Sequence, residues 1–122
     1  MSQQRTPPAL DELATRLAEF ARERDWDQFH APKNLAMALA GEVGELLEHF
    51  QWLSEQQSAN LPADVKDAVA LEMADVLLYL VRLADKLQVD LGAAALCKME
   101  LNARKYPVER FRGSSRKYDD RA

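Results

Sequence analysis

Four acidic side chains occur in two pairs with the same spacing. Glu42 and Glu45 form the first pair, Glu72 and Asp75 form the second, and three positions separate the members of each pair. On an α-helix this spacing places both carboxylates on one face. Clustered, buried carboxylates repel each other and need protons, Arg or Lys partners, or cations. Because oxygen-only ligands suit hard ions, the pattern indicates a site for Mg²⁺, with Mn²⁺ as the alternative ion.

Two other interpretations of these acids stay open from the residues alone. An acidic pair on one helix is common on solvated surfaces, and Arg82 or Lys86 could neutralise the second pair without a metal. A di-iron bundle also gathers carboxylates, but it needs two Glu-x-x-His motifs, and the chain has only His30 and His49. We favour the divalent metal because the second pair interrupts a segment that is otherwise almost entirely apolar.

Basic residues are concentrated towards the end of the chain. Residues 98–117 carry seven basic and two acidic side chains, whereas residues 1–97 carry eight basic and sixteen acidic ones. Lys98, Asn102 and Lys105 fall on one face of a predicted helix. The helix dipole explains single basic residues near a helix end equally well. The asymmetry as a whole favours a polyphosphate ligand, which needs cations on both flanks of its charge.

Aromatic residues near the acids indicate a nucleobase. Trp52 follows the first acidic pair by two helical turns, Tyr79 follows the second by one turn, and Trp26 lies in a predicted loop. Such rings can stack on a base, although aromatic residues at helical spacing are more often part of a core. His30 of the same loop could donate to a phosphate or a base, and a packing role is equally open.

The elements that carry these residues are predicted to be helices. Apolar residues recur at helical spacing, without strand-like alternation, over about residues 6–24, 32–53, 64–88 and 90–106. A polar linker is predicted at residues 54–61. Fourteen of the seventeen residues 68–84 are apolar, which predicts a helix buried on most sides. We therefore expect an all-α, four- to five-helix bundle-like domain that is oligomeric, because three short helices cannot cover this surface.

Composition excludes several classes of protein. The 122 residues are 48% hydrophobic and 30% charged, with a net charge of −4, which fits a folded domain and disfavours a nucleic-acid binder. The longest unbroken apolar run within residues 68–84 is six residues, far below the ~20 that a membrane span needs. The polar N-terminus and the single cysteine, Cys97, predict a cytoplasmic protein with a buried thiol and no membrane partner.

The motifs together resemble the MazG-like all-α nucleoside triphosphate pyrophosphatases. The resemblance rests on E-x-x-E, a 26-residue interval and E-x-x-D, followed by Lys98, Asn102 and Lys105-Tyr106-Pro107, and it covers about residues 8–118. The segments most similar to the dCTP pyrophosphatase branch are residues 20–35, 41–52, 72–83 and 98–118. Leu17 departs from that branch, which carries a histidine there near the base, so the preference for cytosine stays open.

The resemblance implies Mg²⁺-dependent hydrolysis of a nucleoside triphosphate, dCTP or a modified dCTP, to the monophosphate and pyrophosphate. Glu42, Glu45, Glu72 and Asp75 would be the catalytic metal ligands, and Glu45 would accept a proton from the attacking water. The residues that would bind the substrate are Trp26, His30, Trp52, Tyr79, Lys98, Asn102, Lys105, Arg116 and Lys117.

The resemblance also implies a homodimer or homotetramer, since the family forms dimers or dimers of dimers. We expect one catalytic domain at residues 1–108 and a basic, mobile tail at residues 109–122. Two alternatives remain: a phosphohydrolase of the same fold that acts on a different nucleotide, and a non-catalytic helical oligomerisation protein.

Overall fold

The computed structural model describes residues 6–117, and the regular structure there is helical. The helices are α1 (Leu10–Glu23), α2 (Pro32–Glu48), α3 (Glu55–Ala59), α4 (Ala63–Lys86), α5 (Leu91–Lys105) and α6 (Val108–Phe111), with a 3₁₀ turn at Asp27–Phe29. The described residues contain no strand, and the all-α prediction is confirmed. None of the helices within residues 6–117 combines the length and apolarity that crossing a bilayer requires.

Helix α4 is the central element of the first compact unit, which extends to Val89. It packs against both α2 and α1. The core between them consists of Ala21, Leu35, Val69, Val81 and Ala84, and Leu35 is only 2% exposed. Burying these side chains supplies the hydrophobic stabilisation that fixes α2 against α4.

The end of α1 sets the direction of the loop that follows it. Asp25 adopts a left-handed conformation with φ of 55°, which aspartate tolerates better than most residues. The Trp26 N–H then donates to the Ala21 carbonyl at 2.8 Å, and the Asp25 N–H donates to the Arg22 carbonyl at 3.1 Å. These two bonds form a Schellman-type helix end. They hold the backbone of Trp26 beside the last turn of α1.

Two predicted boundaries are wrong in the region between α2 and α4. Helix α2 ends at Glu48 instead of residue 53, and the predicted linker contains α3. The Gln57 N–H donates to Ser54 Oγ at 3.1 Å, and the Ser54 N–H donates to Gln57 Oε1 at 2.9 Å. This reciprocal pair is a capping box. The Ser-x-x-Gln spacing was visible in the sequence, but the polar composition around it favoured a loop.

The second compact unit begins at Asp90. Asp90 Oδ1 accepts a hydrogen bond from the Ala93 N–H at 3.0 Å and so caps α5. Helix α5 ends at Lys105, close to the predicted end. The Tyr106 ring meets the Phe111 ring of α6 edge to face, with ring centroids 4.9 Å apart. The predicted division into a domain of residues 1–108 and a tail stays a prediction, and residues 118–122 lie outside the described part.

Large apolar side chains are exposed along α2 and α4 of the single chain. Leu71 is 71% exposed, Met73 is 57% exposed, and Met37 and Leu47 are also exposed. The described chain leaves part of α4 exposed because α1 and α2 cover only part of it, as expected if three short helices cannot cover its apolar surface. The burial of the remaining surface in an oligomer stays a prediction. The Cys97 thiol, predicted to be buried, is exposed on α5, a helix without a buried residue in the described chain.

Candidate active site

Three of the four paired acids lie together where α2 packs on α4. Glu42 and Glu45 of α2 and Glu72 of α4 each offer a carboxylate oxygen, and these three oxygens lie within 4.8 Å of one another. Asp75 lies one turn beyond Glu72 and is not part of this triplet, but its charge acts on Glu42. The helix packing thus joins two pairs of acids that have 26 residues between them in the chain.

The members of this acidic cluster differ in burial. Glu42 and Glu72 are half-buried, whereas Glu45 and Asp75 are exposed. The expectation that Asp75 would be buried with Glu72 is wrong, because α2 covers α4 on one side only. Oε2 of Glu42 and Oε2 of Glu72 are buried and have no hydrogen-bond donor among the described residues. Buried acceptors without a donor are unfavourable, so these two oxygens indicate a missing cationic or protic partner.

The electrostatics of Glu42 reflect this crowding. Its pKa is raised to about 7, first by burial and next by the Glu45 charge. The adjacent Glu72 carboxyl, with which Glu42 could share a proton, raises the pKa of Glu42 further, and the charge of Asp75 acts in the same direction. Without a cation, the cluster therefore favours binding a proton.

Arg82 and Lys86 do not neutralise the cluster. Arg82 Nη2 donates to Asp27 Oδ1 at 2.7 Å, and its Nη1 lies 3.4 Å from Asp85 Oδ2. Lys86 Nζ lies 3.0 Å from the same Asp27 oxygen. The interpretation in which these two cations pair with the second acidic pair is therefore wrong. Their partners lie in the 3₁₀ turn and on the last turns of α4.

The chemistry of the cluster fits a divalent cation. Its ligand atoms are carboxylate oxygens only, which hard cations prefer. Two of these oxygens are buried without donors, and a cation would satisfy both and remove the repulsion that raises the pKa of Glu42. Glu42, Glu45 and Glu72 are the residues that could hold it, with Asp75 one turn away as a fourth carboxylate.

A cavity of about 180 Å³ adjoins the cluster. Asp75 belongs to both, since it lines the cavity and its charge reaches Glu42. The other lining residues come from α1, α2, α4 and the loop after α1: Leu17, Phe20, Trp26, His30, Leu35, Leu78, Tyr79 and Arg82. The cavity is thus mainly apolar, with a small number of polar groups, as is typical of ligand sites.

The structure brings some of the predicted substrate-binding residues to this cavity. Trp26, His30 and Tyr79 line it. Trp26 also packs edge to face on Phe20, with ring centroids 5.7 Å apart. Trp52 is 86% exposed in the turn after α2 and is not among the lining residues. Its predicted contact with the base stays a prediction.

The predicted phosphate-binding residues belong to the second unit. Lys98, Asn102 and Lys105 lie along one face of α5. Arg116 follows α6, where its backbone N–H donates to Ser114 Oγ at 3.3 Å, and Lys117 is the last described residue. Their roles toward a substrate stay predictions.

Several lining residues escaped prediction from the sequence. Phe20, Leu35 and Leu78 have the same helical apolar spacing as core residues, so the sequence does not distinguish a cavity-lining residue from a core residue at these positions. Arg82 did carry a signal, because it is a lone cation within a long apolar segment. The sequence offers Glu72 and Asp75 as its partners in one open interpretation, whereas the structure pairs it with Asp27, His30 and Asp85.

The raised pKa of Glu42 predicts a pH-dependent stability of the metal-free protein. The folded carboxyl keeps its proton up to about pH 7, whereas the unfolded one loses it near 4.5. The protonated Glu42 carboxyl therefore makes its full contribution to the free energy of unfolding below pH 4.5, and this contribution is lost as the pH rises to about 7. Glu42→Gln, which cannot ionise, should gain melting temperature relative to the wild type across this range in chelator. Glu48→Gln on the same helix is the control, and parallel curves for wild type and Glu42→Gln would contradict the assignment.

Comparison with known proteins agrees with this architecture. The sequence profile of the MazG-like family matches residues 38–120. dCTP pyrophosphatase 1 of Bos taurus is 50% identical over 115 residues, which cover 93% of this chain and 68% of the relative. The Homo sapiens protein of that name is 49% identical with the same coverage. The solved structure of a pyrophosphatase from Archaeoglobus fulgidus aligns with a TM-score of 0.77 and 40% identity, over 87% of this chain and 99% of that one. The chain belongs to the MazG-like family.

Proposed function

We propose that this protein hydrolyses a nucleoside triphosphate, dCTP or a modified dCTP, to the monophosphate and pyrophosphate. The observation that carries the proposal is the acidic cluster, whose two buried oxygens have no donor, next to a cavity with aromatic walls. A cavity of roughly 150 Å³ holds a benzene ring, so the space of about 180 Å³ suits a single-ring base. The names of the curated relatives support the same substrate.

The acidic cluster would perform the chemistry. Glu42, Glu45, Glu72 and Asp75 would hold Mg²⁺, or Mn²⁺ as the alternative. When bound, that ion supplies charge stabilisation to the phosphoryl oxygens. Glu45 is an exposed member of the oxygen triplet, so its carboxylate can accept a proton from the water that attacks the α-phosphorus.

The remaining predicted residues would hold the substrate. Trp26 and Tyr79 border the base and sugar, and His30 donates a hydrogen bond. The triphosphate requires cations, which Lys98, Lys105, Arg116 and Lys117 supply, while the Asn102 amide adds a donor.

One structural observation keeps a second substrate open. Leu17 lines the cavity, and it gives the α1 wall no polar atom at the position where this chain departs from the dCTP branch. A phosphohydrolase of this fold with a different base preference is therefore the alternative. A non-catalytic oligomerisation protein gives no reason for two buried carboxylate oxygens without donors.

The first prediction of the proposed function concerns the reaction itself. Purified protein should release pyrophosphate from dCTP or a 5-modified dCTP only when Mg²⁺ or Mn²⁺ is present. A panel of nucleoside triphosphates, assayed separately for pyrophosphate and orthophosphate, measures substrate preference and product together. Orthophosphate as the first product, or full turnover in excess chelator, would contradict the proposal.

Glu72→Gln tests in the same assay whether the acidic cluster is catalytic. It should abolish turnover, yet the metal-free variant should melt no lower than the wild type, because one repelling charge has been removed. Mg²⁺ should raise the melting temperature of the wild type by binding to the folded state, and should raise that of the variant less. A sharply lower melting temperature of the metal-free variant would mean that Glu72 is a structural residue.

A second prediction compares the two tryptophans. Trp26→Ala should lower kcat/KM by the equivalent of ~1–3 kcal/mol through lost stacking, with the fold retained. Trp52→Ala should do the same if the exposed Trp52 ring contacts the base. Unchanged kinetics for Trp52→Ala would show that Trp52 does not contact the base. Unchanged kinetics for Trp26→Ala would show that the cavity is not the base-binding site.

A third prediction concerns assembly. We propose a homodimer or homotetramer because Leu71 and Met73 of α4 are exposed in the single chain, and large apolar patches commonly mark interfaces. Sedimentation equilibrium should give two or four times the chain mass of 13.8 kDa. Leu71→Glu should shift the protein towards monomer, whereas Lys66→Glu, an exposed charge change on the same helix, should not. A monomeric wild type would refute the proposal.

A further inference from the structure

Arg82 is a buried cation in the wall of the cavity. It is 5% exposed, and each of its three nitrogens has a partner. Nε donates to His30 Nδ1 at 3.1 Å, Nη2 donates to Asp27 Oδ1 at 2.7 Å, and Nη1 donates to Asp85 Oδ2 at 3.4 Å. The first two bonds join α4 to a loop more than fifty residues earlier in the chain.

The bond to His30 has a definite chemical consequence. A guanidinium stays protonated in proteins, so its Nε–H is always a donor. Nδ1 of His30 must then be an acceptor and carries no proton. The neutral imidazole therefore holds its proton on Nε2. Burial, and after it the charge of Arg82, lowers the pKa of His30, which is consistent with a neutral ring.

The other nitrogen of His30 is available to a ligand. His30 lines the cavity, and the bond from Arg82 occupies Nδ1, so the Nε2–H is the ring group left to donate to a ligand. Most of the cavity wall is apolar, so a single donor there has a large effect on how a ligand is oriented. A ligand without an acceptor at that place would leave the donor unsatisfied, which weakens binding.

Arg82 also anchors the segment that carries His30. Asp27 Oδ1 accepts from both Arg82 Nη2 and Lys86 Nζ. Asp27 begins the 3₁₀ turn between Trp26 and His30. Both of these lining residues are thereby tied to α4 through one carboxylate. The charged groups near the imidazole are thus Arg82 and Lys86 of α4 and Asp27 of the turn, and Asp75 lines the same cavity.

We propose that Arg82 is a positioning residue that fixes His30 in the Nε2–H tautomer, so that the cavity offers a hydrogen-bond donor to an acceptor atom of its ligand. The identity of that ligand rests on the proposed function, in which the acceptor is a carbonyl oxygen or ring nitrogen of the base. Arg82 acts on the ligand through His30 and Asp27, and its effect is expected in binding more than in the chemical step.

The tautomer can be measured without any nucleotide. Long-range ¹H–¹⁵N correlation spectra distinguish protonated from unprotonated ring nitrogens, and the chain has only two histidines, which His49→Gln assigns. His30 of the wild type should carry its proton on Nε2 at neutral pH. Arg82→Lys keeps a cation for Asp27 but has no Nε–H, so the population of that tautomer should fall. An Nδ1–H or doubly protonated ring in the wild type would overturn the proposal.

The effect on binding is tested by a double-mutant cycle. Arg82→Lys should raise KM for the hydrolysed triphosphate about 3- to 10-fold with little change in kcat, as expected for one lost neutral hydrogen bond. In the His30→Gln background, where an amide donor needs no tautomer, Arg82→Lys should raise KM less than 2-fold. Equal effects in both backgrounds would show that Arg82 acts independently of His30 and would overturn the proposal.

Asp85→Asn is the matched control, because Asp85 contacts Arg82 but has no part in the cavity lining. It should leave both the tautomer and KM unchanged, and a rise in KM equal to that of Arg82→Lys would argue for a general loss of structure. A wild type that hydrolyses no triphosphate would refute the proposed function. The tautomer spectra would then still support or overturn the action of Arg82 on His30.

Discussion

The packing of α2 on α4 is the constraint on which the acidic cluster depends. Each helix contributes carboxylates at i and i+3, and only the contact between the helices brings Glu42, Glu45 and Glu72 within 4.8 Å of one another. That proximity opposes folding as long as the carboxylates are ionised and lack a cation. Leu35 and Val69, buried at the same contact, offset the repulsion by removing apolar surface from water. The site is thus an unfavourable electrostatic arrangement held in place by a hydrophobic one.

Helix α4 carries two kinds of buried charged group, one without hydrogen-bond partners and one with all of its partners. Around Glu72, two carboxylate oxygens are buried without a donor, and the strain appears in the raised pKa of Glu42. Ten residues later, Arg82 is more deeply buried but has partners on all three nitrogens. A satisfied ion network fixes local structure, whereas unsatisfied acids favour the binding of a cation or a proton. The ion network of Arg82 holds the loop with Trp26 and His30, and the acids around Glu72 mark where chemistry can occur.

Much of this could be predicted from the sequence because the signals lie within single helices. The spacing of Glu72 and Asp75 in an apolar segment gave their shared face, and apolar periodicity gave the all-α fold. What failed depended on distant parts of the chain. Two of the three partners of Arg82 lie 52 and 55 residues away, and helical spacing carries no information at that range. The exposure of Asp75 and Cys97 likewise depends on how much of each helix its neighbours cover, which composition does not specify.

The distribution of polar atoms around the cavity limits how a base can be recognised. Leu17 and Phe20 of α1 and Leu35 of α2 contribute only apolar surface, whereas the polar lining groups come from α4 and from the loop at His30. An apolar wall can reject a ring by its size, but it discriminates weakly between rings of equal size. Discrimination by hydrogen bonding therefore has to come from α4 and from the loop that carries His30. Arg82 of α4 also holds this loop through His30 and Asp27, so substrate preference depends on the buried ion network that joins the two.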